Sequence, residues 1–206
     1  MSHGFFLVLE GPEGAGKSTL ALALARRATQ QGRDVVSVRE PGGTPAAEAA
    51  REILMARAHP VGPEAELFLV LAARADLVRR VVQPALAAGK LVIADRFELS
   101  TWAYQVQGRG LPAAEVAAAN ALATGGLRAD LTLVLDLHPG VGRARQLQAG
   151  KHTDRLDDED PAFHERVAAA YLSASGLGVH HLDAAASPDA VLTHAWDVLA
   201  ASWRQA

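Results

Sequence analysis

The eight residues GPEGAGKS, Gly11 to Ser18, constrain the fold of this chain more than any other stretch. They fit G-x-x-x-x-G-K-[S/T] and stand between a short apolar run, FFLVL (5–9), and a helical pattern from about Ser18 to Gln31 that Gly32 is placed to end. In that setting the glycines let successive backbone N–H groups face one anion, and the helix adds the positive end of its dipole. Lys17 can reach the β- and γ-phosphates of a nucleotide, and the Ser18 hydroxyl can ligate Mg2+. The loop therefore predicts a nucleoside triphosphate held along Gly11, Pro12, Glu13, Gly14, Ala15, Gly16, Lys17, Ser18 and Thr19. It does not say what is done with the nucleotide. It also poses a problem, because Glu13 puts a carboxylate inside an anion cradle.

The rest of the chain repeats the strand-then-helix rhythm. VVSV (35–38), LVIA (91–94), LTLVLDL (131–137) and VHHL (179–182) read as strands. All but the last are apolar throughout rather than alternating, as expected where both faces of a sheet are covered. Helical patterns run over about 64–88, with a bend expected near Pro84, over about 112–124, and from SPDA (187–190), where Ser187 is a candidate cap followed by proline at the first helical position. This alternation predicts a three-layer α/β fold, a parallel sheet with helices on both faces. A length of 206 residues suggests one domain. Only Arg143 to Asp160, RARQLQAGKHTDRLDDED, breaks the pattern: it reads either as a charged surface loop or as a lid over a site.

A formal charge of −3 gives no reason to expect a nucleic-acid polymer or an anionic membrane as partner. A polyanionic ligand must then be held by a few placed cations and backbone dipoles. There is no cysteine, hence no disulfide framework or thiolate zinc site, which fits a reducing cytoplasm. No signal peptide is visible, and the longest apolar run, LFLVLAA (67–73), is too short to span a bilayer. His180 and His181 read as structural, and Trp196 and Trp203, seven apart, as one packed helix face.

Two apolar runs end in aspartate, at Asp95 and Asp136, and either could stand near the metal. Asp95 is followed at once by Arg96. Water cleavage alone needs no anion clamp beside the metal, whereas transfer to a second phosphate does. Asp95 is therefore read as the metal-side acid and Asp136 as a strand-end residue.

REPGGT (39–44), AARADLV (72–78), DRFELSTWAYQVQGRG (95–110) and TDRLDDED (153–160), taken in order with LEGPEGAGKST, resemble bacterial thymidylate kinases from Phe6 to about Leu182. REPGGT and DR-x-x-x-S-T-x-A-Y-Q are far more specific than the phosphate loop. The resemblance implies a P-loop kinase sheet of five strands in the order 2-3-1-4-5, a mobile lid, a homodimer, and transfer of the γ-phosphoryl of ATP to dTMP, giving dTDP, with Mg2+. It implies that Glu13 faces the acceptor, where its carboxylate would take a hydrogen bond from the deoxyribose 3′-hydroxyl. Arg39 and Arg96 would grip the acceptor phosphate, as a planar fork is suited to do. Gly42 and Gly43 would allow a tight turn there, and Asp95 would hold Mg2+ through water or orient Arg96. Arg74 would point at thymine O4, Ser100 and Thr101 would line the base pocket, and Tyr104 and Gln105 would lie near sugar and base. Val70 stands where the family usually carries a phenylalanine that stacks on thymine, and Phe68 lies some 200° away on the helix. The phosphate loop has no arginine, so the catalytic cation is expected from the lid: Arg155 fits best, with Lys151 and Arg145 as further candidates. Kinases for another nucleoside monophosphate, and a slow nucleotide-dependent switch, are the alternatives; the N-K-x-D guanine signature is absent.

Overall fold

A computed structural model describes residues 4–58, 60–150 and 154–203. Five parallel strands, β1 (Phe5–Glu10), β2 (Val35–Arg39), β3 (Leu91–Asp95), β4 (Leu131–Asp136) and β5 (Val179–Asp183), form one sheet in the order β2-β3-β1-β4-β5. This is the order expected. β1 lies at the centre, and Leu9, Asp95 and Arg39 stand side by side in register. The loops after β1, β2 and β3 therefore open at one edge, the position where open α/β sheets bind ligands.

Alternation along the strands builds two cores. Phe5, Leu7 and Leu9, with Leu91, Ile93 and Leu133, pack under α1 (Lys17–Gln30), which supplies Leu20 and Leu24. Phe6, Val8, Val92 and Ala94 face the opposite layer. That layer holds α2 (Pro45–Met55), α3 (Pro63–Leu77), α4 (Gln83–Ala87), α5 (Glu98–Thr101) and α6 (Ala113–Thr124). Beyond β4 come α7 (Pro139–Gln148) and α8 (Pro161–Leu172), and α9 (Pro188–Trp203) returns to the first face. The Ser187 hydroxyl accepts from Ala190 N, as a capping serine should. Trp196 is buried in the first core and Trp203 stacks on Phe5 with ring centroids 5.8 Å apart, so both tryptophans pack as expected.

The break near Pro84 takes a particular form. A π-helical turn, Val78–Val82, joins α3 to α4 just before the proline, which has no N–H to give to the preceding turn. A second π-helical stretch, Trp102–Gly108, continues α5. α2 and α8 were not among the helices expected, yet both carry helix start signals. Thr44 caps α2 before Pro45 by accepting from Ala47 N, and Asp160 caps α8 before Pro161 by accepting from Phe163 N. The charged segment 143–160 resolves into the end of α7 and, among the described residues, turns from Asp154 to Asp160.

Candidate active site

β1 delivers the chain into the phosphate loop, and α1 begins at its Lys17. Gly14 and Gly16 adopt positive φ, 74° and 94°. Gly14 lies backbone against backbone on Gly142 of α7: a Cβ on either would sit 2.2 Å from a carbonyl oxygen of the other segment. The helix that leads into the charged segment is thus seated directly on the loop. Lys17 is buried and donates to Gly11 O (2.9 Å) and Pro12 O (2.8 Å), while Ala15 packs into the core below. Burial pulls the Lys17 ammonium down to about 8, with Arg96 adding to the shift against Glu13, Asp95 and Glu10. An anion bound beside it would raise it again.

A cleft of about 700 Å³ opens over this loop. On the loop side Gly14, Gly16, Lys17, Ser18 and Thr19 line it, and the Ser18 hydroxyl donates to Asp95 at 2.5 Å. A hydroxyl beside a carboxylate is a hard-oxygen pair of the sort Mg2+ takes together with waters and phosphate oxygens. The residues present therefore fit that ion.

The cleft continues past Glu13. Its carboxylate turns to Arg96, with Nη2 at 2.5 Å, so the acid inside the loop faces the far half of the cleft. Arg96 is the one non-glycine residue with positive φ (78°) among those described. That conformation costs a bulky residue about 1–2 kcal/mol and persists only where neighbours impose it. Here Arg96 N donates to Leu9 O, and its guanidinium donates to Tyr171 (2.8 Å), Ser100 (3.1 Å) and Gly11 O (3.2 Å). Glu10, wholly buried at the end of β1, accepts from Phe97 N (2.8 Å), Ser100 N (3.1 Å) and Ser100 Oγ (2.6 Å). Burial pushes the Glu10 carboxyl up, and Arg96, Ser100 and Phe97 act against that push.

Across the cleft stands Arg74 of α3, which is 1% exposed. It is no surface arginine. Nε donates to Glu40 (2.7 Å), Nη1 to Thr101 (2.8 Å) and Asn120 (2.6 Å), and Nη2 to Phe97 O (2.8 Å). Four of its five N–H groups thus serve to aim the guanidinium. Burial pushes the Glu40 carboxyl up, and Arg74 opposes it. The Glu40–Pro41 peptide is cis. Gln105 and Tyr104 share this wall, with the Arg96 guanidinium 5.4 Å from the Tyr104 ring centroid. Val70 reaches the cleft, whereas Phe68 is 65% exposed and does not line it.

Arg39 also lines the cleft, but its Nη2 donates to both oxygens of Glu48 at 2.9 and 2.8 Å, and Gly43 N donates to the same carboxylate. Gly42 and Gly43, at φ 140° and 89°, make the turn expected there. Arg155 is not brought to the cleft. Its Nη2 donates to Glu66 (2.6 Å) and its Nε to Leu54 O (3.0 Å), fastening the segment to α3 and α2. Arg145 does line the cleft and donates to Ala184 O at 2.9 Å; Lys151 lies outside the described residues. Asp136 pairs with His181 Nδ1 at 2.9 Å, and His181 Nε2 contacts Ala174 O at 2.7 Å, so both hold β4, β5 and the turn before β5 together.

Sequence reasoning missed Glu10, Glu40, Glu66, Asn120 and Arg51. The last lines the cleft and donates to Pro41 O at 3.0 Å. It also missed His164 of α8, which lines the cleft with a buried Nε2 that has no hydrogen-bond partner among the described residues. A glutamate ending the apolar run FFLVLE was a legible signal for Glu10, and Glu40 stands inside REPGGT; the others carry none in their own neighbourhoods.

A phosphate loop at the centre of a five-stranded parallel sheet, under one cleft whose far half is lined by arginines, defines a P-loop phosphotransferase. The family model described as "Thymidylate kinase" matches residues 9–194. A thymidylate kinase of Cereibacter sphaeroides is 47% identical over 213 residues, covering 100% of this chain and 98% of its own. Two from Pseudomonas putida are 48% identical over 192 residues (91% of both chains; strain GB-1) and 52% over 168 (81% of both; strain W619). The chain belongs to the thymidylate kinase family.

Proposed function

We propose that the chain transfers the γ-phosphoryl of ATP to dTMP, giving dTDP and ADP. The observation that carries this is the Glu13–Arg96 pair: it stands between the phosphate-loop end and the far half of one cleft, so two nucleotides can meet end to end across it. ATP lies along residues 11–19, with Lys17 on its phosphates. Ser18 and Asp95 would hold Mg2+, which would supply neutralisation of phosphate charge. The acceptor phosphate meets Arg96 and Arg39, the latter by leaving Glu48. Thymine lies against Val70 and Arg74, whose remaining N–H would meet O4. Ser100 and Thr101 fix that wall, Tyr104 borders the sugar, and Gln105 borders the base. The 3′-hydroxyl donates to Glu13.

The chemistry asks little of a general base. A phosphate monoester has a second pKa of roughly 6, so the acceptor arrives mostly as a dianion. The obstacle is anion repulsion: even single charges about 4 Å apart repel by roughly 4 kcal/mol at an effective dielectric near 20. Cations fixed beforehand lower that term without reorganising. For Arg155 to serve as the lid cation it must leave Glu66, whereas Arg145 is already on the cleft wall.

The test is ADP release with each nucleoside monophosphate offered separately. Strong acceptor dependence with dTMP best is expected; a slow rate indifferent to the acceptor would overturn the reading. We also propose a homodimer in a cytoplasmic setting. Ile53 of α2, Phe68 of α3 and Leu122 of α6 are 43%, 65% and 86% exposed on helices packed beside one another, which supports a covered face. Phe68→Glu should shift the sedimentation coefficient to that of a monomer. Among the described residues no helix is long and apolar enough to cross a membrane.

A further inference from the structure

Glu66 of α3 is 1% exposed, and its carboxylate takes four donors. Oε1 accepts from Gln105 Nε2 (2.9 Å) and Arg109 Nε (3.1 Å); Oε2 accepts from Arg109 Nη2 (2.9 Å) and Arg155 Nη2 (2.6 Å). An ionised carboxylate only accepts, at about four lone-pair positions, so this one is saturated. Burial pushes Glu66 up, but the donors from Arg109, Arg155 and Gln105 outweigh it and hold the group below the ordinary range. It is an anion throughout the neutral range.

The consequence falls on Gln105. A carboxamide donates at one end and accepts at the other, and only the donating end can face an acceptor-only group. Its carbonyl oxygen is left over, takes no hydrogen bond from the described residues, and belongs to a side chain that lines the cleft. Arg74 on the same side can only donate. The pocket thus shows a ligand one acceptor and one donor in fixed places. Thymine offers a protonated N3 beside the O4 acceptor. Cytosine reverses both, with a bare N3 beside an amino group.

We propose that Glu66 is a positioning residue for base selection: by compelling Gln105 to present its carbonyl oxygen, it makes the pocket accept a base protonated at N3 and reject one that is not. This rests on the dTMP reading and deepens it.

Four measurements of kcat/KM test it. On the unaltered protein, N3-methyl-dTMP should lose about tenfold or more against dTMP, mainly in KM. In Glu66→Gln the amide at 66 can donate, Gln105 is free to turn over, and the dTMP-to-dCMP ratio should narrow by about tenfold. The exchange Glu66→Gln with Gln105→Glu keeps an oxygen on the cleft and should restore the ratio. Arg109→Ala removes two of the carboxylate's donors without touching Gln105, and should lower the melting temperature while leaving the ratio unchanged. Equal use of N3-methyl-dTMP and dTMP would overturn the inference yet leave dTMP phosphorylation standing. So would an unchanged ratio in Glu66→Gln, or an equal narrowing in Arg109→Ala, which would reduce Glu66 to general support. Should Glu66→Gln fail to fold, the exchanged pair and the N3-methyl comparison still decide the matter. Failure of dTMP to stimulate ADP release at all would instead sink the underlying function.

Discussion

Arg96→Ala, set beside Arg96→Gly, separates what this arginine does for the reaction from what it costs the fold. Both variants remove a guanidinium that is 13% exposed and touches Glu13, Tyr171, Ser100 and the phosphate loop. If it neutralises the acceptor phosphate, the lost interaction is roughly 4 kcal/mol at a separation of about 4 Å and an effective dielectric near 20. At 1.36 kcal/mol per decade, that is about a 10³-fold loss of turnover. Both variants should show it, with KM for dTMP raised and KM for ATP nearly unchanged. Their stabilities should differ. Residue 96 sits at φ 78°, which alanine resists and glycine does not. Arg96→Gly should therefore be about 1–2 kcal/mol more stable than Arg96→Ala, some 2–8 °C in melting temperature for a chain of this size. Steady-state kinetics with each substrate varied in turn, plus thermal denaturation of both variants, decide it. An equal rise in KM for ATP would place Arg96 on the wrong nucleotide. Equal melting temperatures would show that the backbone turn is not strained.

Three further outcomes are expected. Lys17 binds phosphate as the ammonium, and its pKa before the nucleotide arrives is about 8, below the usual 10.5 because of burial. Affinity for ATP should thus be flat below that pH and fall tenfold per unit above it; the same depressed value means the folded protein binds fewer protons than the unfolded chain between about 8 and 10.5, so this group's contribution to stability rises with pH across that window. A pH profile of kcat/KM for ATP that stays flat to pH 9.5 would contradict the first part. Glu13→Gln should weaken use of dTMP more than use of its 3′-deoxy analogue, and equal effects on both would remove Glu13 from the sugar. Val70→Phe should lower KM for dTMP by about two- to tenfold through ring stacking, measured in the same coupled assay; a raised KM would mean that the cleft has no room for the ring.

Much of the fold was written locally. The phosphate loop, the apolar strands and the glycine after α1 each act through neighbours a few residues away, so local pattern alone predicted a parallel sheet covered on both faces, while the strand order came with the family resemblance and the contact of Ser18 with Asp95 came from the fold. The long helix, its break before Pro84 and the serine cap of α9 were legible for the same reason. The starts of α2 and α8 are local signals too, a capping Thr44 or Asp160 followed by proline.

What the tertiary structure decided is the work of the buried carboxylates and the aim of the cations. Glu10 holds Ser100 across 90 residues, Glu40 holds Arg74 across 34, and Glu66 holds Arg155 across 89. A carboxylate looks the same in sequence whether it is solvated or saturated with donors; only folding chooses, because a charge removed from water must find its partners wherever the chain brings them. The amino-acid sequence by itself settled that this chain holds a nucleotide at the centre of a parallel sheet. Which arginines line the far half of the cleft, and which one is tied away from it, followed from packing at distances the sequence does not encode.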